Sequence, residues 1–384
     1  MKYLAYYDTP ANQIENRNYA PAATGKVDYI CAVLNRIGYS VELVSASMTH
    51  NKCGCKGKVV QLSEKTSLKL FPSLGKGFLP KRILRRLLFD MGMFFYLLFH
   101  IKKGEDLLVY HSLGYANMVW ILRKIKKFRL ILEVEEIYAD VNGRERDRKK
   151  EFRLFAAADA YVFPTELLNQ KINNKNKPYV LVHGTYQAEP ERKCDVFADN
   201  LQREEKRRIH CVYAGTLDPR KGGAIAAASA AEFLPEKYHI HILGFGSKEQ
   251  TENMLELVTS LSKRCRCGIT YDGLLNGEAY IRFLQSCDIG LSTQNPDAAF
   301  NATSFPSKIL SYMANGLRVV SIRIPAVEGS EIGDYPYYYD HQTPEAIAEA
   351  ILKVNLEDSY DARSVLFRLD REFACELKNC LCDQ

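Results

Sequence analysis

The sequence predicts an α/β fold of two successive domains, each a parallel sheet covered by helices on both faces. Three observations carry that prediction. Short apolar strands alternate with longer amphipathic stretches, the pattern of βα units rather than of hairpins. The alternation stops once, from Gln187 to Arg208, where the chain turns polar around Pro190 and the charged run Arg203-Glu204-Glu205-Lys206-Arg207-Arg208, and then restarts. A length of 384 residues also exceeds what one ordinary core accommodates.

In the first half, Lys2–Tyr7 reads as a strand, Asp8–Gly25 as a long polar loop, Val27–Gly38 as an amphipathic helix and Ser40–Val44 as a second strand. Asp106–His111 is a buried strand, Tyr115–Lys126 a helix and Arg129–Glu135 a strand. Arg153–Asp159 leads into the strand Ala160–Phe163, and Tyr179–Val182 closes the series. In the second half the strands Ile209–Tyr213, His239–Leu243, Ile269–Tyr271 and Ile289–Ser292 alternate with the helices Ala224–Phe233, Lys248–Ser262 and Glu278–Gln285. Pro344–Val354 adds a helix, and Ser359–Cys382 is mostly helical. The expected division is a first domain over 1–190, a linker over 191–208 and a second domain over 209–361.

Composition narrows the function. A net charge of +6 admits an anionic ligand, and no RNA-binding or helix-turn-helix motif accompanies it, so no nucleic-acid partner is expected. Eleven cysteines are an odd number, and the start Met1-Lys2-Tyr3-Leu4-Ala5-Tyr6-Tyr7-Asp8 reaches an aspartate before any secretory apolar region forms, which points to a reducing cytoplasm. The pairs Cys53/Cys55, Cys265/Cys267 and Cys380/Cys382 lack the Cys-x-x-Cys spacing of a zinc ribbon, so no metal is expected. Ala23-Thr24-Gly25-Lys26 lacks the first glycine and the final Ser or Thr of a phosphate loop and is not an ATP site. From Leu79 to Lys103 the chain is apolar with basic flanks. Its uninterrupted apolar part, Met91–Phe99, falls far short of the roughly 20 residues that span a bilayer. It suits a core helix or an interfacial anchor, and the strand that follows directly favours the core helix.

Candidate binding residues gather where strands of the second half end. Tyr213-Ala214-Gly215-Thr216-Leu217-Asp218-Pro219-Arg220-Lys221-Gly222-Gly223 places a glycine after a buried strand, then two cations and two glycines before a helix. That order lets backbone and cations approach an anion from the carboxyl edge of a sheet, although a surface turn has the same composition. Gly244-Phe245-Gly246-Ser247 repeats the arrangement one unit later. Phe305-Pro306-Ser307-Lys308-Ile309-Leu310-Ser311-Tyr312-Met313-Ala314-Asn315-Gly316 reads as loop, short helix and glycine stop before the strand Leu317-Arg318-Val319-Val320-Ser321. Lys308 is there either a solvated side chain in a capped first turn or a phosphate contact.

In this order and spacing, YAGTLDPRKGG, ILGFGS, ITYDGLLNGEAYIRFLQSCDIGLS and FPSKILSYMANGLRVVS resemble the nucleotide-sugar-binding domain of GT-B glycosyltransferases. The likeness is to the family 4-like and group 1 enzymes that assemble bacterial surface polysaccharides, and it covers roughly residues 209 to 325. It implies two Rossmann-like domains with parallel sheets facing an interdomain cleft, and a last helix over about 362–384 that crosses back to the first domain. It implies a donor diphosphate held by Ser304, Pro306, Ser307 and Lys308 together with the basic pair Arg220 and Lys221, beside Gly215, Thr216 and Gly244 at the strand ends. Leu274 falls where the base is held. Ser311 stands where relatives carry a glutamate, and the partner glutamate falls near Thr303, so this chain lacks both; Asp297 is a nearby carboxylate that offers a substitute.

In the first half Asp8, His111 and Glu135, with Glu136 beside it, lie at or just past strand ends, where a general base or an acceptor contact belongs. Their other reading is loop hydrogen bonding for Asp8 and His111 and solvated charge for the glutamates. The implied activity is cytoplasmic transfer of a hexosyl-type group from a nucleoside diphosphate sugar, acting as co-substrate with no further cofactor, to a saccharide or lipid-linked saccharide. Peripheral contact with the inner face of the membrane goes with the second acceptor. A nucleotide-sugar epimerase, or a binding subunit without turnover, is the alternative on the same scaffold.

Overall fold

The structure, a computed structural model, describes residues 1–142, 144–192, 208–219, 223–297 and 303–382. Met1–Thr185 with Glu372–Gln384 forms one compact unit and Tyr186–Arg371 the other. Most of the stretch read as a linker lies outside the described residues.

The first unit runs β1 (Lys2–Ala5), α1 (Pro21–Arg36), β2 (Val41–Ser45), β3 (Lys58–Gln61), β4 (Thr66–Leu70), α2 (Leu79–His100), β5 (Asp106–Tyr110), α3 (Ala116–Ile125), β6 (Arg129–Glu133), α4 (Tyr138–Asn142), α5 (Glu145–Ala157), β7 (Ala160–Phe163), α6 (Glu166–Ile172) and β8 (Tyr179–Leu181). Its eight strands lie in the order β3-β4-β2-β1-β5-β6-β7-β8, parallel throughout except for β3, which pairs antiparallel with β4 at the edge. Every residue of β1 and β7 is buried, which is why β7, and β1 after its Lys2, read as apolar runs. Four local readings change. The polar loop after β1 contains a 3-10 turn, Pro10–Glu15, and α1 begins at Pro21 rather than Val27, because proline's fixed φ suits a first helical position. The β3–β4 hairpin was not expected. Finally, α2 is a core helix on one face only, with Phe89, Met93 and Leu97 buried.

The second unit runs β9 (Ile209–Thr216), α7 (Ala224–Ser229), β10 (Tyr238–Phe245), α8 (Lys248–Arg264), β11 (Gly268–Gly273), α9 (Gly277–Gln285), β12 (Ile289–Ser292), α10 (Lys308–Ala314), β13 (Arg318–Ile322), α11 (Pro325–Glu328), β14 (Tyr337–Tyr339) and α12 (Pro344–Leu352). The sheet order is β11-β10-β9-β12-β13-β14, and all pairs are parallel. The last helix, α13 (Ala362–Cys382), starts in this unit, and from Glu372 onward its residues belong to the first. There Phe373 stacks on Tyr29 with centroids 5.9 Å apart, and the Arg129 guanidinium donates to the carbonyls of Cys380 and Leu381 at 2.5 and 2.7 Å.

Strand order reverses between β1 and β5 in one unit and between β9 and β12 in the other. At such a reversal the connections leave in opposite directions, and a crevice opens outside the carboxyl ends. In the second unit β9 and β12 pair only through Cys211 with Ile289 and Val212 with Gly290. Beyond that point Tyr312 of α10 bridges them: the Ala214 amide donates to its hydroxyl at 2.9 Å, and the hydroxyl donates to the Leu291 carbonyl at 3.2 Å. Gly290 makes the room, since a Cβ there would lie 2.2 Å from the Tyr312 ring.

In the first unit the corresponding buried polar group is Glu133, which ends β6 and has no exposure. The Tyr3 hydroxyl, reaching past β5, donates to its Oε2, and among the described residues its Oε1 has no hydrogen-bond partner. Burial pushes the carboxyl up to about 8; Lys26 opposes the shift and Glu135 adds to it.

Two predictions follow from these groups. The folded state keeps on Glu133 a proton that the unfolded chain releases near the ordinary carboxyl value of 4.5, so stability falls as pH rises from there to about 8. Glu133→Gln stays neutral and lacks that slope. Denaturant unfolding across the window should show the parent losing ground to the variant as pH rises, and parallel curves would mean that the buried group is already ionised. Tyr312→Phe removes both hydrogen bonds of the strand bridge and should cost about 1–3 kcal/mol. A shift in the urea midpoint without a change of slope checks it, and an unchanged midpoint would show that the bridge contributes nothing.

Candidate functional site

In the second unit the expected donor residues gather at the reversal between β9 and β12. The Tyr213 side chain folds along the end of β9, its hydroxyl donating to the Thr216 carbonyl at 3.0 Å and accepting from the Gly223 amide at 3.2 Å. The Lys308 ammonium lies over the Tyr213 ring, 4.2 Å from its centroid, a cation–π contact that holds the side chain toward the end of β9. A Cβ on Gly215 would stand 3.3 Å from the Lys308 Nζ and 3.0 Å from the Tyr213 hydroxyl. The bare Gly215 backbone is therefore what admits the lysine. Across the sheet, a Cβ on Gly244 would come within 2.0 Å of the Gly215 carbonyl oxygen, so only glycine allows β10 this close. The Thr216 hydroxyl accepts from the Asp218 amide at 3.1 Å and fixes the turn out of β9. Among the described residues Lys308 makes no ion pair.

Other expected residues stand differently. Leu274 is exposed just past β11, two strands from β9, after Gly273 in the left-handed region at φ +74°. Ser304 and Pro306 are half-buried in irregular backbone. Ser307 precedes α10 in helical backbone, φ −54° and ψ −19°, and its side chain makes no cap; the turn is closed instead by the Ile309 amide donating to the Pro306 carbonyl at 3.0 Å. The local reading of this stretch as a helix start capped by the Ser307 side chain is therefore not what the structure has. Ser311 is half-buried, its hydroxyl 3.3 Å from that of Tyr280. Thr303 is half-buried and Asp297 exposed. Arg220 and Lys221 lie outside the described residues.

Sequence reasoning missed part of this edge. The Thr293 hydroxyl donates to the Gly223 carbonyl at 2.8 Å, tying the end of β12 to the start of α7. Next to it Gln294 is almost fully buried. Its Oε1 accepts from the Ser292 hydroxyl at 2.9 Å, while among the described residues its Nε2 has no acceptor. The available signal was a Ser-Thr-Gln run straight after a buried strand.

In the first unit the three candidate bases differ in access. Asp8 is 1% exposed and turned inward, accepting from the Thr9 amide at 2.9 Å and from the Asn12 side-chain amide at 3.0 Å. His111 is 1% exposed too, with ring centroids of Tyr138 and Phe155 at 5.1 and 4.9 Å. Its Nε2 lies 3.3 Å from the Glu151 Oε1 without hydrogen-bond geometry, and burial pushes its pKa down to about 3, so the two are neighbours and not an ion pair. Glu151 instead accepts from the amides of Tyr138 and Ala139 at the start of α4. The Glu135 side chain keeps a quarter of its surface and is held by the Lys26 ammonium at 2.5 Å, which also donates to the Val182 carbonyl at 3.1 Å. Glu136 is half-buried beside it. The concavities lined by Arg123, Arg129 and Asp159, and by Arg208, Asp288 and Arg318, open at the amino ends of the strands, away from all of these residues.

Residues 208–356 match the family model described as glycosyl transferases group 1. No curated protein matches the chain in sequence. Among solved structures the chain is similar to a sucrose-phosphate synthase from Thermosynechococcus elongatus, with a TM-score of 0.72, 13% identity and coverage of 98% of this chain and 97% of that one. It is similar to a trehalose-6-phosphate protein from E. coli solved with UDP-2-fluoro glucose, with a TM-score of 0.70, 12% identity and coverage of 100% and 99%. A UDP-forming α,α-trehalose-phosphate synthase from Burkholderia xenovorans, in complex with glucose-6-phosphate, gives a TM-score of 0.61 at 12% identity over 99% and 96%. At these identities the likeness is one of fold. Residues 208–356 thus resemble the group 1 glycosyl transferases, and the chain as a whole has the GT-B fold, two α/β units built on mainly parallel sheets.

Proposed function

We propose that this protein is a glycosyltransferase that moves a hexosyl group from a nucleoside diphosphate sugar to a saccharide or lipid-linked saccharide in cell-surface glycan synthesis. The observation that carries the reading is the Lys308 ammonium, held over Tyr213 beside the bare Gly215 backbone at the strand-order reversal. A cation with no carboxylate partner among the described residues, at the place where α/β sheets bind ligands, suits a diphosphate. The group 1 match over 208–356 supports it, as does a structural neighbour solved with UDP-2-fluoro glucose. Arg220 and Lys221 belong to the same reading through their place between β9 and α7.

In the transfer, the acceptor hydroxyl oxygen bonds to the anomeric carbon while the bond from that carbon to the β-phosphate oxygen breaks. The diphosphate leaves with the electron pair, and the hydroxyl proton passes to a base. Lys308 stabilises the charge that grows on the leaving oxygen, and a preoriented cation does so without reorganising in the transition state. Of Asp8, His111 and Glu135, the last is the one that keeps solvent access, and it takes the role of base, with Lys26 holding it in place.

Replacing Lys308 by Ala removes one charge-assisted contact, worth about 1.5–3 kcal/mol, so the affinity for UDP should fall about ten- to a hundredfold. Uridine should bind both proteins alike. Calorimetric titration of parent and Lys308→Ala with UDP and uridine measures this, with ligand-free melting as the control for folding. Equal UDP affinities in two folded proteins would return Lys308 to solvent and remove the basis of the proposal. Turnover of UDP-glucose with a mixture of saccharide acceptors then separates transfer from binding alone.

A further inference from the structure

We infer that the outward face of α2 is a docking surface for an anionic lipid bilayer, onto which the protein lies without crossing it. Helix α2 has two unlike faces. Phe89, Met93 and Leu97 are buried in the core of the first unit. On the opposite side Ile83, Leu84, Leu87, Leu88, Met91 and Phe95 are each about half exposed, at three- and four-residue spacing along one arc. No charged residue interrupts that arc: Arg85 turns away to the Thr49 carbonyl, and Arg86 is held by Asp90 and the Gly114 carbonyl. The stripe widens at both ends, with Phe78 at 75% and Phe99 at 72% exposed, and the adjoining α3 adds Ile125 at 58%. An apolar surface this continuous is unusual for water to cover and marks an interaction site.

The charges around it choose the partner. Between Phe78 and Lys103 there are six Lys and Arg against a single acid, Asp90, and that acid is taken by Arg86. Arg82 precedes the stripe, while Lys102 and Lys103 follow it and Lys124 and Lys127 stand at the end of α3, all exposed. An apolar stripe with cations at its ends matches an anionic lipid surface, in which side chains enter the acyl boundary and the cations meet headgroups. A second copy of the chain on the same face would bring like cationic rims together, which opposes dimerisation there. No helix among the described residues is long and apolar enough to cross a membrane. The surface lies on α2 and α3 and is independent of the donor site.

Flotation of the full chain with vesicles of phosphatidylcholine, with and without phosphatidylglycerol, tests this. Binding should require phosphatidylglycerol and weaken as salt rises. Lys102→Ala and Lys103→Ala should each weaken it about fivefold. Leu87→Glu combined with Met91→Glu should abolish it, whereas Phe367→Glu, on the exposed side of α13, should leave it unchanged. The lysine variants keep the proposal open to refutation should the acidic pair fail to fold. Failure to float with phosphatidylglycerol at low salt would overturn it. So would binding indifferent to the α2 substitutions, and so would a lipid-free dimer in sedimentation that Leu87→Glu dissociates.

Discussion

The Tyr312 bridge is the interaction on which the carboxyl edge of the second unit depends. Where β9 and β12 part, one hydroxyl takes the Ala214 amide and gives to the Leu291 carbonyl, so the strands diverge without leaving that amide bare. The divergence makes the crevice, and the bridge fixes its width. Gly290 is committed to admitting the ring, and α10 is committed to the position from which Tyr312 reaches. Lys308 starts the same short helix, and so its ammonium reaches Tyr213 and Gly215. A packing requirement in the core thus sets the location of a cation at the surface.

How much of this was legible follows from what each residue needs from its neighbours. The parallel strands were, because burial on both faces makes them apolar throughout and their boundaries fall at polar residues. The β3–β4 hairpin was not: Lys58–Gln61 is four residues long at a sheet edge, with alternating exposure, and nothing in so short a segment separates it from loop. Gly215 and Gly244 stand out in the sequence because a glycine at the end of an apolar strand has a local meaning, and Lys308 because it opens a short helix ahead of a buried strand. Tyr213 and Tyr312 do not, since an aromatic in an apolar run reads as core, and their hydroxyl partners lie on other elements. Helix α2 shows the same limit. The unbroken apolar run Met91–Phe99 conceals that Met93 and Leu97 face inward while Met91, Phe95 and Phe99 face out.

In the first unit, residues at strand ends proved to be divided by access. Asp8 and His111 lie just past the ends of the adjacent strands β1 and β5, yet each turns into the protein. The less expected Glu133 lies deeper still. Its neutral form is held by burial, and a charged Glu133 beside Glu135 would place two anions against the single Lys26. Keeping one carboxyl protonated leaves Lys26 to pair with Glu135, whose side chain retains exposure.

The serine at position 311 has a related electrostatic consequence. Relatives of the kind this sequence resembles carry a glutamate there, and residues 308 and 311 are three apart on α10, close enough for a carboxylate to pair with the lysine. A glutamate would then compete with a phosphate for the same ammonium. Ser311 instead meets the Tyr280 hydroxyl, a neutral pair that leaves Lys308 on the aromatic face of Tyr213. A cation over a ring keeps nearly all of its charge available, because the ring quadrupole attracts it without neutralising it. The absence of the acid therefore shifts the balance of this edge, among the described residues, toward positive charge.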